Sequence, residues 1–338
     1  MSIIIFIIGV LAMGYLGYAM MFGKLNQTEK FVPEKMNISH EMLEREADSG
    51  IINIALFGLD QREHGFDGNV RSDAMKIISI DTVQSNVKIT SVQRDLLVII
   101  PDDEVGLDKL NHAYWYGGAE LALKTLNQNL DLDLTRYVSV NYDAIEALID
   151  HLGGVEVQLL KAEVRHLNDV LYDLNRLAGI DLDTYLVEEG GLQVLNGRQA
   201  LAYMRIRNIG SDYARMRRQT RVIEAVAKQL QKLNYGELMA FIQKGLQYVQ
   251  TNLQNDEIIS LIPLALKVDF NEIESYQLPT NDFDETISTT YKGYEPVYLL
   301  QDYVKLASDA HENIYGYYKD SEMISHQHDM IYEIIEGL

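Results

Sequence analysis

"IINIALFGLD", residues 51–60, is an apolar, β-branched run that closes on Gly-Leu-Asp. Such a run reads as a buried strand that delivers a carboxylate, Asp60, to its C-terminal end. Working outward, "AMKIISID" (74–81) and "NVKITSVQRD" (86–95) predict two more strands joined by a short turn around residues 84–86. "RYVSVN" (136–141) and "VEVQL" (155–159) predict further strands, "GGAELALKTLNQNL" (117–130) has helical spacing, and "YDAIEALIDHLGG" (142–154) is a helix closed by glycine. Strands alternating with helices of about 10–15 residues predict an α/β fold, a central mixed sheet covered by helices on both faces. From 197 to 250 the pattern is helical, with one long helix expected from Tyr213 to about Val249. Met216, Thr220, Ile223, Val226, Ala227 and Leu230 would form its packed face, and the arginines would lie on the other. Residues 251–316 carry no motif with evident chemistry.

The chain has 338 residues, a formal net charge of −21 and 47% apolar residues, the composition of a globular protein with a substantial core. Its acidity argues against nonspecific attraction to nucleic acid or to an anionic membrane, so any basic site must be local and shaped. With no cysteine, disulfides, thiolate nucleophiles and Cys-ligated zinc are excluded.

"SIIIFIIGVLAMGYLGYAMMFG" (2–23) carries no charge and reaches the roughly 20 residues a spanning helix needs. Residues 1–23 are therefore expected to be an N-terminal transmembrane helix acting as an uncleaved signal-anchor, since a cleaved signal peptide has a shorter apolar region and a small-x-small site. Lys24, Lys30 and Lys35 follow the segment and no Lys or Arg precedes it, so the positive-inside rule alone would place the body in the cytoplasm. Residues 24–49 read as a juxtamembrane stalk, 50–316 as the folded body, and 317–338 as a tail able to form an amphipathic helix.

"YMRIRNIGSDYARMRRQTR" (203–221) concentrates Arg205, Arg207, Arg215, Arg217, Arg218 and Arg221 in this acidic chain. Arg205 and Arg207, two apart after a helical segment, cannot share a helix face and are expected to leave the helix toward a cleft. Arg215 and Arg218, three apart with Gln219 adjacent, would present guanidinium forks to one side of the next helix. Asp212 is the only acid between Arg205 and Arg221, so a bound polyanion accounts for the cluster better than internal pairing, and bidentate phosphate binding is a reason to use arginine. Asp60, with Asp73 of "RSDAM" (71–75), could hold a hard divalent ion such as magnesium; an Arg71–Asp73 surface pair is the rival reading. Arg94 and Asp95 end another strand and would reach the same edge if the strands were parallel. Lys109 of "KLNHAYWYGG" (109–118) could offer a point charge to phosphate, beside the free N–H groups of a helix starting at 117–119. His112, among aromatics, reads as packed.

Taken in order, Gly58-Leu59-Asp60, "RSDAM", "SVQRD", "KLNHAYWYGG", "YDAIEALIDHLGGVEV", "LNGRQALAYMRIR" and "DYARMRRQ" resemble the LytR-CpsA-Psr (LCP) family of cell-wall glycopolymer ligases, continuously over about residues 50–250 and more faintly to about 316. The resemblance implies a single-pass cell-membrane enzyme whose catalytic domain, 50–316, faces outward. It would move a teichoic acid, capsule or similar glycan from an undecaprenyl diphosphate carrier onto peptidoglycan through a phosphodiester, assisted by Mg2+. It also implies a hydrophobic pocket for the polyprenyl tail; with the acidity and the membrane segment counting against it, no nucleic-acid partner is expected. Carried over by position, Asp60 and Asp73 match the metal-associated acids; Arg71, Arg94, Arg205 and Arg207 match catalytic residues that grip the diphosphate; Lys109, Arg215, Arg218 and Gln219 match substrate-binding residues. Two departures stand out. Gln93 replaces the family's usual proline before Arg-Asp, and a basic leader before the membrane segment is absent. The alternatives are a membrane-anchored polyprenyl-phosphate-binding regulator without transferase activity, a polyprenyl-diphosphate hydrolase, and a cytoplasmic nucleic-acid regulator.

Overall fold

A computed structural model describes residues 26–46, 50–61, 70–265, 272–280, 286–317 and 322–336. The expected membrane anchor, 1–23, lies outside them, and among the described residues no helix is long and apolar enough to cross a membrane. The strands are β1 (Asn26–Gln27), β2 (Ile51–Leu59), β3 (Ser72–Asp81), β4 (Asn86–Val92), β5 (Leu97–Ile100), β6 (Gly106–Lys109), β7 (Arg136–Val140), β8 (Val155–Leu159), β9 (Gly191–Leu195), β10 (Val249–Thr251), β11 (Glu274–Leu278), β12 (Thr286–Tyr291) and β13 (Tyr294–Leu300). The helices are α1 (His40–Glu46), α2 (His112–Leu130), α3 (Tyr142–His151), α4 (Lys161–Ala178), α5 (Gly197–Met204), α6 (Asp212–Gln231), α7 (Tyr235–Gly245), α8 (Asn255–Ala265), α9 (Tyr303–Tyr315) and α10 (Glu322–Glu336).

The central sheet is mixed, in the order β1-β10-β7-β2-β3-β4-β11. Strands β2, β3 and β4 form an antiparallel meander, while β7 runs parallel to β2 and β11 parallel to β4. Side chains alternate across a strand, and here the alternation separates two different interiors. Ala55, Phe57 and Leu59 of β2, with Met75 and Ile77 of β3, enter a solid core completed by α2, α9 and α10. Leu56 and Gly58, with Ala74 and Lys76, face the other way and line an apolar cavity roofed by α3, α6 and α7. One face of the sheet is filled and the other is hollow.

Several expectations are corrected. "VEVQL" does not join the central sheet; β8 pairs with β9 in a separate hairpin. The long helix expected from Tyr213 is two, because Asn234 caps the second: its side chain accepts from the Glu237 N–H at 3.0 Å and the Glu237 carboxylate accepts from the Asn234 N–H at 2.9 Å. On α6 the buried face is Tyr213, Arg215, Met216, Arg218, Gln219, Thr220, Val222 and Ala225, so two arginines lie on the side that packs. The stretch expected as a stalk folds into the body: β1 pairs with β10, and Met36 and Met42 are buried. The C-terminal helix, α10, inserts Ile324 and Ile331 into the main core.

Candidate functional site

The meander builds the site. Register partners Leu59–Ser72 and Met75–Val92 put the end of β2, the start of β3 and the end of β4 at one sheet edge. Asp60, Asp73 and Arg94 therefore converge, through antiparallel pairing where the sequence reading had required parallel strands. Antiparallel hairpin β5–β6 pairs Lys109 with Leu97 and returns the lysine beside Asp95. Gln93 also has a role here: its backbone N–H donates to the Leu278 carbonyl at 2.8 Å, a bond that the family's usual proline has no N–H to make.

Arg94 is the hub. Its Nη1 donates to Asp73 Oδ1, its Nε donates to Asp95 Oδ2 at 3.2 Å, and Asp212 Oδ2 lies 3.9 Å away. Burial acts to lower the pKa of this guanidinium, but Asp73, Asp95 and Asp212 together outweigh it and the net shift is upward. Lys109 Nζ reaches Asp95 at 2.9 Å, Arg207 Nη2 reaches the second oxygen of Asp73 at 3.2 Å, and Arg215 Nη2 reaches Asp212 at 2.8 Å. Arg215 is the pressed member: burial, then the nearby Arg94 charge, shift its pKa down. Among the described residues its buried Nε has no hydrogen-bond partner, an orphan donor of the kind an anionic oxygen would satisfy. Asp60 is exposed, with its backbone N–H bonded to the Arg71 carbonyl at 3.3 Å, which puts the exposed Arg71 next to it. Arg205 lies with its guanidinium carbon 4.4 Å from the centre of the Tyr142 ring, and among the described residues it pairs with no carboxylate.

The expectation that the arginine cluster lacks internal partners is also corrected. Asp73 compensates Arg207, Asp212 compensates Arg215, and Glu163 compensates Arg218. Arg218 lies inside the fold: its Nε donates to Glu163 at 2.9 Å, and its other nitrogens donate to the Ile206 and Ile209 carbonyls at 3.1 and 2.7 Å. It ties down the loop that carries Arg205 and Arg207. Gln219 points elsewhere, into the wall of the apolar cavity. His112 is packed as expected, 2% exposed with Nδ1 3.0 Å from Asp108.

That cavity, about 220 Å³, begins at Gly58 and Ala74, next to Asp60 and Asp73 along their strands. A second apolar space of about 280 Å³ continues under α7 and α8 and shares Leu148 and Phe241 with the first. Lys76 lines the first; its ammonium is held by Ser91 Oγ at 2.6 Å and Thr220 Oγ1 at 2.9 Å, and burial lowers its pKa to about 7. Residues the sequence reading left out complete the site. Tyr142 supports Arg205, and Tyr298 of β13 sits near Asp212, Asp95, Arg215 and Arg94, its pKa raised by burial first and then by those acids.

Asp73 has both oxygens on guanidinium groups and Asp60 is exposed, while no group of three or more metal-ligating acids or histidines converges among the described residues. This donor set fits a hard ion that takes two carboxylates and completes its shell with phosphate oxygens and water, and does not make a preformed cage.

A profile of the LytR_cpsA_psr family matches residues 17–303. The chain is 29% identical over 285 residues to the polyisoprenyl-teichoic acid–peptidoglycan teichoic acid transferase TagT of Bacillus subtilis (strain 168), covering 81% of this chain and 83% of that protein. It is 28% identical over 305 residues to biofilm regulatory protein A of Streptococcus mutans serotype c, covering 80% of this chain and 70% of that protein. Among solved structures it is similar to the LytR-CPS2A-psr family protein YwtF (TagT) with bound octaprenyl pyrophosphate lipid, with a TM-score of 0.56 at 22% identity, covering 86% of this chain and 95% of that one. With the family profile matched over most of its length, the chain belongs to the LytR_cpsA_psr family.

Proposed function

We propose that the protein is a phosphotransferase that moves a glycopolymer from a polyprenyl diphosphate carrier, undecaprenyl diphosphate, onto peptidoglycan through a phosphodiester. The observation that carries this reading is the junction at Gly58 and Ala74, where a predominantly apolar cavity meets the sheet edge that carries Arg94, Arg207 and Arg215. An apolar tail attached to a diphosphate needs those two environments side by side. The names of TagT and of the structure with octaprenyl pyrophosphate support the same substrate class.

Phosphoryl transfer depends on positioning and charge neutralisation more than on covalent help from the protein. Arg94, Arg205, Arg207 and Arg71 would grip the diphosphate oxygens, and Lys109 and Arg215 would hold the charge of the inner wall. An acceptor hydroxyl loses its proton to solvent and forms a new P–O bond at the glycan-side phosphorus while the bond to the bridging oxygen breaks, and these cations stabilise the lipid phosphate that departs with that oxygen. Asp60 and Asp73 would hold a magnesium ion, which would supply further positive charge to the diphosphate. Residues 1–23 would anchor the body on the outer face of the membrane, where both donor and acceptor are found.

The test is incubation of the full chain in detergent with a lipid-diphosphate-linked sugar and peptidoglycan oligomers, with and without magnesium, read by mass spectrometry. A magnesium-dependent phosphodiester product is expected. Free sugar phosphate alone would refute transfer in favour of hydrolysis. Lipid binding without any product would favour the regulator suggested by the similarity to biofilm regulatory protein A.

A further inference from the structure

We propose that Tyr142 is a positioning residue that aims the carboxylate of Asp60 and the guanidinium of Arg205 at the same diphosphate. This rests on the reading of the site given above and adds to it a residue that the sequence reading gave no role in the site.

Tyr142 is the first residue of α3, reached directly from β7 through Asn141, whose side chain accepts the Ala144 N–H at 2.9 Å. Strand β7 runs parallel to β2 with Val140 opposite Gly58, so two residues further on Tyr142 stands level with Asp60. The Tyr142 N–H donates to the Gln61 carbonyl at 3.4 Å, fastening the two chain ends across the gap. The side chain then makes two contacts of different kinds. Its hydroxyl lies within interaction range of Asp60, which the β2–β7 register brings level with it, and its ring face supports Arg205, whose guanidinium carbon lies 4.4 Å from the ring centre. The ring itself is fixed, 7% exposed within the cluster formed by α3, α5 and the β8–β9 hairpin.

The choice of tyrosine has a physical reason. Arg94, Arg207 and Arg215 are oriented by carboxylates, and each such partner cancels charge that a phosphate would otherwise meet. An aromatic face orients a guanidinium while leaving its charge intact and its in-plane N–H donors free. A tyrosine hydroxyl is neutral at neutral pH and can donate to a carboxylate while the ring stays in place. One side chain thereby orients both a cation and a carboxylate of the same site.

The two contacts separate by mutation. Octaprenyl diphosphate binding to the full chain in detergent is measured by calorimetry, in EDTA and across a magnesium titration, for wild type, Tyr142→Phe and Tyr142→Leu. Tyr142→Phe keeps the ring and loses the hydroxyl. Its affinity in EDTA is expected to stay within about twofold of wild type, while the magnesium concentration giving half-maximal tightening rises about tenfold, the scale of one hydrogen bond to a charged group. Tyr142→Leu also removes the ring and is expected to weaken binding in EDTA about fivefold, the scale of a partly buried cation–π contact. A purely structural role would lower the melting temperature of both variants and weaken binding equally with and without metal; that result overturns the inference. So does a Tyr142→Phe magnesium response within twofold of wild type. If wild type itself binds no octaprenyl diphosphate in either condition, the substrate reading falls and takes this inference with it.

Discussion

Arg218 offers a sharp test because the sequence motif and the structure give it different jobs. Its guanidinium and the Glu163 carboxylate are 4% and 3% exposed, and it also holds the Ile206 and Ile209 carbonyls. Arg218→Met leaves buried Glu163 without its ion-pair partner, although the Leu160 N–H and the Tyr203 hydroxyl still donate to it at 3.0 and 3.4 Å. Removing one partner of a buried pair costs about 3–5 kcal/mol, a large part of a typical total of about 5–15 kcal/mol. Glu163→Gln keeps an acceptor for the Leu160 N–H and removes the charge, so the double variant should be more stable than the sum of the single losses predicts, by about 2 kcal/mol. Urea unfolding of wild type, both single variants and the double variant measures the four free energies. Additivity within about 0.5 kcal/mol, or a loss below about 1 kcal/mol for Arg218→Met, would refute the buried-anchor account. In transfer assays Arg218→Lys should not restore activity, because one ammonium cannot span the carboxylate and both carbonyls as a guanidinium does.

Two further predictions concern the hollow face of the sheet. Lys76, with its pKa lowered to about 7 from an ordinary value of 10.5, is neutral in the folded state over a range where the unfolded chain still binds the proton. Wild-type stability should therefore rise with pH across that window, by up to about 1.4 kcal/mol per unit, relative to Lys76→Met; equal pH slopes in paired thermal melts would contradict this. Gly58→Val should reduce octaprenyl diphosphate affinity more than tenfold (about 1.4 kcal/mol) while leaving dimethylallyl diphosphate within about twofold, since a Cβ there already meets the Ala74 Cβ at 3.0 Å and the added methyls enter the cavity. Equal losses for both ligands would show that the substitution disturbs the charged edge instead.

What could be read in the sequence followed local pattern. The strands at 51–59, 72–81 and 86–92 announced themselves by apolar, β-branched runs, and the acids and arginines at their ends marked an edge worth watching. The way they meet did not show: the antiparallel meander that joins them is a matter of pairing, which residue spacing leaves open. The packed face of α6 was misplaced because arginines count as surface residues unless their partners are known. Glu163, which lets Arg218 be buried, is 55 positions away in sequence and belongs to another helix. Tyr142 gave no signal either, since a tyrosine opening a helix is ordinary, and only the register between β2 and β7 brings it level with Asp60. Tyr298 lay in a stretch with no readable motif and reaches the site because β13 docks beside Asp95, its N–H bonded to the Asp95 carbonyl at 2.9 Å.

The filled and hollow faces of the sheet divide the duties of a single strand. Along β2, Ala55, Phe57 and Leu59 answer to the solid core, whereas Leu56 and Gly58 answer to whatever occupies the cavity. Tolerance to substitution should therefore alternate with a period of two: changes at the first set are selected against through stability, and changes at the second through ligand fit. Because the two sets share a backbone but not an interior, the fit of the cavity to the ligand proposed above can change while the folding free energy stays nearly constant.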